Sequence, residues 1–363
     1  MNRSTSFIFN FILLAALALS PGCTKKVVPD PDPDPDPTTE EDSVFFTTRG
    51  AIISWADVKQ PDIVDWLAYA RNYHLNTLCV LSPPFNTQTW EDFKTKCAKG
   101  GIGLEWENHM IDQVLPRGLF TAHPEYFRVD EKGARNNDYN GCPSNKEALA
   151  IVAKNTKSFA KLYAPTNNKY YFWMSDGGKK CNCPLCSHYS ASDQALIYEN
   201  VMIDALREIN PKAQLAHLAY AGTTEAPTQV KPREGIFLEF APFYRSYDAP
   251  LADRSAIRYN WTHGQYLDML ADNLKVFPAS TAQVLEYWTD ITLFSNWDIN
   301  NKVKLPWNES VFKSDLETYA NYGIHSITAY MIWAGPDYYA QYRDLSFIMN
   351  YAMGLYTYRP KKN

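Results

Sequence analysis

The sequence predicts a (β/α)8 barrel, also called a TIM barrel, that forms one domain over residues 45–358. Apolar strand-like segments alternate with helical patterns along this part of the chain, as in parallel βαβ units. Eight such strands are present, which fits a closed barrel better than an open sheet. The domain has about 320 residues, a length that α/β barrels often reach as a single domain.

The strands are predicted at short apolar runs, and most of them end in polar or aromatic residues. In chain order they cover residues 50–57, 76–82, 103–108, 169–176, 214–221, 236–242, 282–290 and 326–333. The helices are predicted from apolar residues at helical spacing. They cover residues 61–74, 90–98, 145–163, 192–210, 263–276, 309–322 and 338–355.

The first 22 residues resemble a bacterial lipoprotein signal peptide. Arg3 gives the N-terminus a positive charge, and residues 7–19 are almost entirely apolar. This run is short for a membrane span but typical of a signal-peptide core. Small residues precede Cys23, as in a lipobox, although Ser20 replaces the usual Leu. We expect Cys23 to be acylated. The alternative is an ordinary cleaved signal in which Cys23 has no role.

Residues 23–44 are predicted to form a tether between the anchor and the barrel. Pro and Asp alternate over residues 29–37. Proline favours the extended polyproline II conformation and the like charges repel, so such a segment is a semi-rigid spacer. The anchor and tether together predict an outer-membrane lipoprotein on the periplasmic or cell-surface face, held to the membrane through Cys23.

Composition narrows the class of ligand. Aromatic residues reach 14%, with 24 Tyr and 10 Trp. Aromatic rings stack on the C–H faces of sugars, so the excess favours a carbohydrate ligand, although aromatic side chains also fill large cores. The net charge is −5 with no basic stripe, which argues against nucleic-acid binding. The sequence does not predict an oligomeric state.

The expected active site lies where the barrel strands end, since catalytic residues of such barrels occupy the C-terminal face. Asp176 ends the fourth predicted strand and Glu286 lies on the seventh. Glycoside cleavage needs a proton donor and a nucleophile or base on opposite sides of the sugar. Asp176 and Glu286 are therefore the candidate catalytic pair.

Other polar and aromatic residues near the strand ends are expected to bind the sugar. Because alternate residues of a strand share a face, Glu105, Glu107 and His109 should point the same way. By the same rule Glu286, Trp288 and Asp290 should share a face. The expected substrate-binding residues are His109, Glu107, Tyr220, Trp288, Asp290 and Trp333.

These residues and their neighbours resemble a bacterial family, the domain of unknown function 4838, which overlaps glycoside hydrolase family 163. The strongest matches are Ser175-Asp176-Gly177 and the following Cys-x-Cys-x-x-Cys at residues 181–186. Weaker matches are residues 123–127, residues 218–220 and residues 286–288. The resemblance implies a TIM barrel and endo-β-N-acetylglucosaminidase action on N-glycans, in which the 2-acetamido oxygen of the substrate acts as the nucleophile.

Within this resemblance, Glu286 would be the general acid, and Asp176 would orient the acetamido group and stabilise the charged intermediate. The two roles could be exchanged. No cofactor is expected for catalysis. The alternative is a non-catalytic glycan-binding lipoprotein on a degenerate barrel, which is favoured by Ser175 at a position where many relatives have Asn.

Four cysteines form a second candidate site. Cys181, Cys183 and Cys186 lie in one loop, and Cys142 lies in the long loop after the third predicted strand. Thiolates at this spacing suit a tetrahedral structural zinc ion, whereas such close neighbours rarely reach disulfide geometry with one another. The alternative is a disulfide from Cys142 to one of the other three, as an oxidising compartment would allow.

Overall fold

A computed structural model describes residues 44–361, which form a barrel of eight parallel strands. The third strand has two segments, and the first pairs with β2 while the second pairs with β4, so the sheet closes at Trp106. The predicted barrel fold is confirmed. The strands are β1 (Thr48–Ser54), β2 (Thr77–Leu81), β3 (Gly103–Glu105 and Glu107–His109), β4 (Lys169–Trp173), β5 (Gln214–Ala219), β6 (Ile236–Phe240), β7 (Gln283–Glu286) and β8 (Ser326–Tyr330).

The main helices follow the strands along the chain. They are α1 (Trp66–Asn72), α2 (Gln88–Lys99), α3 (Lys146–Leu162), α4 (Ala191–Arg207), α5 (His263–Asn273), α6 (Glu309–Asn321) and α7 (Ser346–Thr357). Shorter helical segments cover Trp55–Val58, Ile111–Val114, Ile291–Phe294 and Pro336–Tyr342. Within residues 44–361, every helix is too short or too polar to span a bilayer. The predicted signal peptide and nearly all of the tether lie outside these residues.

Helix boundaries follow local sequence signals. The side chain of Asn145 accepts a hydrogen bond from the backbone of Ala148, which caps the N-terminus of α3 as this residue type commonly does. Ser190 caps α4 in the same way. The final predicted helix, residues 338–355, is wrong as one continuous element. Arg343 adopts a left-handed conformation with φ of 53°, which ends the preceding segment before α7 begins.

The barrel interior contains three buried glutamates. Tyr171 donates a hydrogen bond to Glu105 (2.9 Å), and the indole of Trp173 donates one to Glu239 (2.8 Å). Burial raises the pKa of Glu239 to about 8. Burial, followed by the neighbouring carboxyl groups, also raises the pKa of Glu107 well above its usual value. Neither carboxyl oxygen of Glu107 has a hydrogen-bond partner among residues 44–361. The barrel interior therefore favours the protonated forms of Glu107 and Glu239.

The side chains of β7 alternate in the opposite sense to the one that the sequence suggested. Gln283 bonds to residues of the barrel interior and Leu285 lines its upper part. Glu286 and Trp288 therefore point outwards towards α6. The expectation that both share a face with Asp290 is wrong, because the strand ends at Glu286 and Asp290 is placed by the turn that follows.

Glu286 belongs to a buried ionic cluster between the barrel wall and α6. Arg245 donates to Glu286 (3.1 Å) and to Asp315 (2.5 Å), and all three side chains are fully buried. Tyr319 also donates to Glu286, and the indole of Trp288 donates to Asp315 (2.8 Å). This cluster joins the loop after β6, the end of β7 and α6.

Glu286→Ala should therefore lower the free energy of unfolding by about 3–5 kcal/mol, because it leaves Arg245 with one buried charge partner fewer. Urea denaturation of the purified protein measures this change. Glu309→Ala is the matched control, since its exposed pair with Lys313 should contribute less than about 0.5 kcal/mol. Equal stability of the two variants would contradict a structural role for Glu286.

Candidate functional site

A cavity of about 700 Å³ opens at the carboxyl ends of the barrel strands. Its wall combines two carboxyl groups with one histidine and many aromatic side chains. This combination of apolar surface with a few converging polar groups is typical of a small-molecule site. The lining residues are Leu81, His109, Trp173, Asp176, Leu218, Tyr220, Phe243, Tyr244, Tyr259, Leu285, Tyr287, Asp290, Thr292, Trp297, Tyr330 and Ile332.

Asp176 is exposed at this mouth on the loop that follows β4. Gly177 and Gly178 follow it with φ of 88° and 62°, a left-handed conformation that glycine adopts without strain. Asn140, from the loop after β3, accepts a hydrogen bond from the backbone of Ser175 (2.9 Å) and donates one to the carbonyl of Lys179 (3.1 Å). The loop after β3 thus fixes the position of Asp176.

Tyr220 and His109 line the same cavity as Asp176. Burial, followed by the charge of the Asp176 carboxyl group, raises the pKa of Tyr220. The Nδ1 atom of His109 lies 2.5 Å from the carbonyl oxygen of Met174. A carbonyl accepts only, so Nδ1 carries the proton, and a neutral ring keeps Nε2 as an acceptor for a ligand.

Asp290 is the second carboxyl group of the cavity, and it is only 3% exposed. It caps the short helix Ile291–Phe294, where its Oδ1 accepts from the backbone (3.0 Å) and hydroxyl (2.5 Å) of Thr292. Burial raises its pKa to about 6, although the bonds from Thr292 favour the charged form. Asp290 therefore exchanges a proton close to neutral pH.

The structure brings together four of the residues that the sequence singled out. His109, Asp176, Tyr220 and Asp290 line one cavity. The structure places the remaining four, Glu107, Glu286, Trp288 and Trp333, outside the lining of this cavity.

Glu286 and Trp288 lie behind the wall of the mouth cavity because their side chains point outwards towards α6. Trp333 packs under the amine of Lys302, 5.6 Å from its ring centre, rather than in the cavity lining. Glu107 shares the inward direction of His109 but lies buried below it, and it borders a smaller neighbouring cavity of about 360 Å³ instead.

The sequence reasoning missed most of the aromatic wall. Tyr287 and Tyr330 stack in parallel at the mouth with ring centres 5.2 Å apart. Alternate side chains of a strand share a face, so counting from the inward-facing Gln283 through Leu285 would have placed Tyr287 on the interior face of the barrel. Phe243 and Tyr244 lie in the aromatic-rich segment that follows β6, which is a recognisable signal for a barrel rim.

The four loop cysteines form a buried cluster whose sulfur atoms all lie within 4.8 Å of one another. Cys142 Sγ lies 3.7 Å from Cys183 Sγ and 3.9 Å from Cys186 Sγ. These distances are too long for disulfide bonds. They fit thiolates on a tetrahedral ion with metal–sulfur distances of about 2.3 Å. The cluster can therefore hold a metal ion, and it joins the loop after β3 to the loop after β4.

The solved structures with a similar fold include glycoside hydrolases. One is a glycoside hydrolase family 20 β-N-acetylglucosaminidase with a TM-score of 0.50 and 11% identity, aligned over 87% of this chain and 70% of that one. Another is Gan42B, a family 42 β-galactosidase, with a TM-score of 0.51 and 14% identity, aligned over 86% of this chain and 57% of that one. At these identities the likeness establishes the shared fold alone.

A sequence search among curated proteins found no match. A family model matches residues 26–354, which is most of the chain, and it is described as a domain of unknown function. The resemblance to the domain of unknown function 4838 is thereby confirmed. The chain belongs to the DUF4838 family.

Proposed function

We propose that this protein is a glycoside hydrolase that cleaves glycans containing N-acetylglucosamine. The observation that carries the proposal is a pair of carboxyl groups in unlike environments on one aromatic cavity. Asp176 is exposed beside Tyr220, whereas Asp290 is buried with a pKa of about 6. Carboxyl groups that differ in this way divide acid and charge-stabilising roles in glycosidases. The fold shared with a β-N-acetylglucosaminidase agrees with this reaction class.

Asp290 takes the role that the sequence had suggested for Glu286. Its carboxyl group lines the cavity and would protonate the oxygen of the leaving group. Asp176 and the Tyr220 hydroxyl orient the 2-acetamido group, whose carbonyl oxygen attacks the anomeric carbon as the glycosidic bond breaks. The product of this step is a cyclic oxazolinium ion. Water then opens it, and its proton passes to Asp290.

The aromatic wall supports a sugar as the ligand. Trp173, Tyr287 and Tyr330 line the same cavity as the two carboxyl groups, and rings of this kind pack against the apolar C–H faces of a pyranose. An endo-acting enzyme of the family 163 type is the form of the proposal that the sequence motifs favour. No cofactor takes part in these steps.

A non-catalytic glycan-binding protein is the second candidate. The observation that favours it is the displacement of Glu286 from the mouth, since the family resemblance had assigned that residue the acid role. Binding without cleavage by the wild-type protein would establish this alternative.

Asp176→Asn and Asp290→Asn should each reduce kcat by about 10²- to 10⁴-fold, the usual contribution of such groups. Asp290→Asn should matter least for substrates with good leaving groups, which need no proton, whereas Asp176→Asn should impair all substrates. Steady-state kinetics on aryl N-acetylglucosaminides and defined N-glycans measures both effects. Asp248→Asn, an exposed residue outside the cavity lining, is the control. Unchanged rates in both site variants would exclude the assignment.

The same assignment predicts the pH dependence. A general acid must be protonated, so kcat/KM should fall as the pH rises through about 6, the pKa of Asp290. Thr292→Val removes a hydroxyl donor that favours the carboxylate, which should raise this pKa and move the alkaline limb to higher pH. Thr281→Val, at an exposed site, should leave the profile unchanged. If the alkaline limb of the pH profile stays at the same pH in Thr292→Val, a group other than Asp290 is the general acid.

We also propose that Cys142, Cys181, Cys183 and Cys186 bind one structural zinc ion, since an all-sulfur tetrahedral set suits this metal. Elemental analysis should give close to one zinc per chain in the wild type. Cys183→Ser should lose the ion and lower the melting temperature, whereas Cys97→Ser, a buried thiol elsewhere, should retain it. A metal-free protein with a Cys142 disulfide in its peptide map would refute the proposal.

The membrane anchor stays a proposal from the sequence. Lipid attached to Cys23 would place this site at the outer membrane, on its periplasmic or outer face. Fatty-acid labelling of the wild type that persists in Cys23→Ala would refute it.

A further inference from the structure

Two of the most exposed aromatic side chains of the described residues stand at the rim of the mouth cavity. Tyr259 is 61% exposed and Trp297 is 57% exposed, and both line the cavity. They come from different loops. Tyr259 lies in the turn of a hairpin after β6, and Trp297 follows the short helix Ile291–Phe294 after β7. Large exposed apolar surfaces beside a cavity commonly mark binding surfaces.

Both rings are held by unfavourable backbone conformations. Tyr259 has φ of 50° and Trp297 has φ of 58°, and each has an asparagine neighbour in the same left-handed region. Bulky residues rarely adopt this region because their Cβ atom meets the carbonyl oxygen. Such conformations cluster at ligand clamps and active sites. Each of the two loops therefore maintains, at a conformational cost, an aromatic residue that is more than half exposed.

The rim rings continue an aromatic surface that starts beside Asp176. Tyr220 is followed by Tyr244 at 6.4 Å between ring centres, and Tyr244 by Tyr259 at 6.1 Å. Arg258 lies 4.7 Å from the centre of the Tyr259 ring and helps to hold it.

A second row runs along the other loop. Tyr287 is followed by Phe243 at 4.9 Å, and Phe243 by Trp297 at 6.1 Å. The steps of both rows are similar to the separation of successive rings in an oligosaccharide.

We propose that the site recognises an extended glycan chain, with one sugar beside Asp176 and further sugars packed against Tyr259 and Trp297 at the rim of the cavity. The inference rests on the proposed function only in taking the ligand to be a glycan. A site for a single terminal sugar would need no exposed aromatic surface at its rim. A chain of several pyranoses presents repeated apolar C–H faces, which both rows of rings match.

The test compares binding of a monosaccharide with binding of a chain. The wild-type protein is titrated calorimetrically with N-acetylglucosamine, chitopentaose and a biantennary N-glycan. At least one of the two oligosaccharides should bind more tightly than N-acetylglucosamine. A Tyr259→Ala, Trp297→Ala double variant should bind that oligosaccharide ~5- to 50-fold more weakly, as expected for two lost aromatic stacking contacts. Its affinity for N-acetylglucosamine should change less than twofold.

The chain offers a matched control. Ile257 and Ile299 lie close to the two aromatic residues in sequence and are 61% and 57% exposed, yet neither lines the cavity. An Ile257→Ala, Ile299→Ala double variant removes similar exposed apolar surface and should bind both ligands as the wild type does. The inference is overturned if it loses as much oligosaccharide affinity as the aromatic variant, or if the aromatic variant loses none.

Hydrolysis assays separate this inference from the proposed function. Oligosaccharide binding that depends on Tyr259 and Trp297, without cleavage of any glycan, would refute the hydrolase and support the extended site. Cleavage of an aryl N-acetylglucosaminide with no added affinity for either oligosaccharide would support the hydrolase and overturn the extended site. A wild-type protein that binds none of the three sugars overturns the extended site as well.

Discussion

The guanidinium of Arg245 fixes the arrangement of half the mouth. It bonds to Glu286 on β7 and to Asp315 on α6, and all three charges are removed from water. A buried charge without its partner is strongly destabilising, so the loop after β6 and the end of β7 hold one position relative to each other. As a result, Phe243 packs beside Tyr287. The chain that follows β7 then turns so that Asp290 lines the cavity.

The other half of the mouth depends on contacts between the two loops that follow β3 and β4. Asn140 bonds to the backbone on both sides of Asp176, and the cysteine cluster joins the same two loops a few residues further on. Both halves thus follow one construction, in which polar contacts between neighbouring elements position the groups that line the cavity. Groups that are held by supporting contacts lose little freedom when a ligand binds.

The sequence predicted the eight strands and the residues at the ends of β3, β4 and β5, because turns and helical spacing are local signals. It failed on the direction of Glu286 because every residue of β7 is buried. A strand covered on both faces lacks the apolar–polar alternation that sets its register. The Arg245 partnership joins residues far apart in sequence, and no local pattern indicates it. Motif resemblance therefore located the correct strand end but selected a carboxyl group that faces away from the cavity.

The chemistry of Asp290 results from two opposing influences that meet at one carboxyl group. Burial favours the neutral acid, whereas capping a helix favours the anion, and the outcome is a pKa of about 6. Glu107 beneath the cavity shows burial without such a cap. It has no hydrogen-bond partner among residues 44–361, and burial together with the neighbouring carboxyl groups raises its pKa well above the usual value. The hydrogen bonds that Asp290 accepts as a helix cap therefore limit the rise in pKa that burial causes.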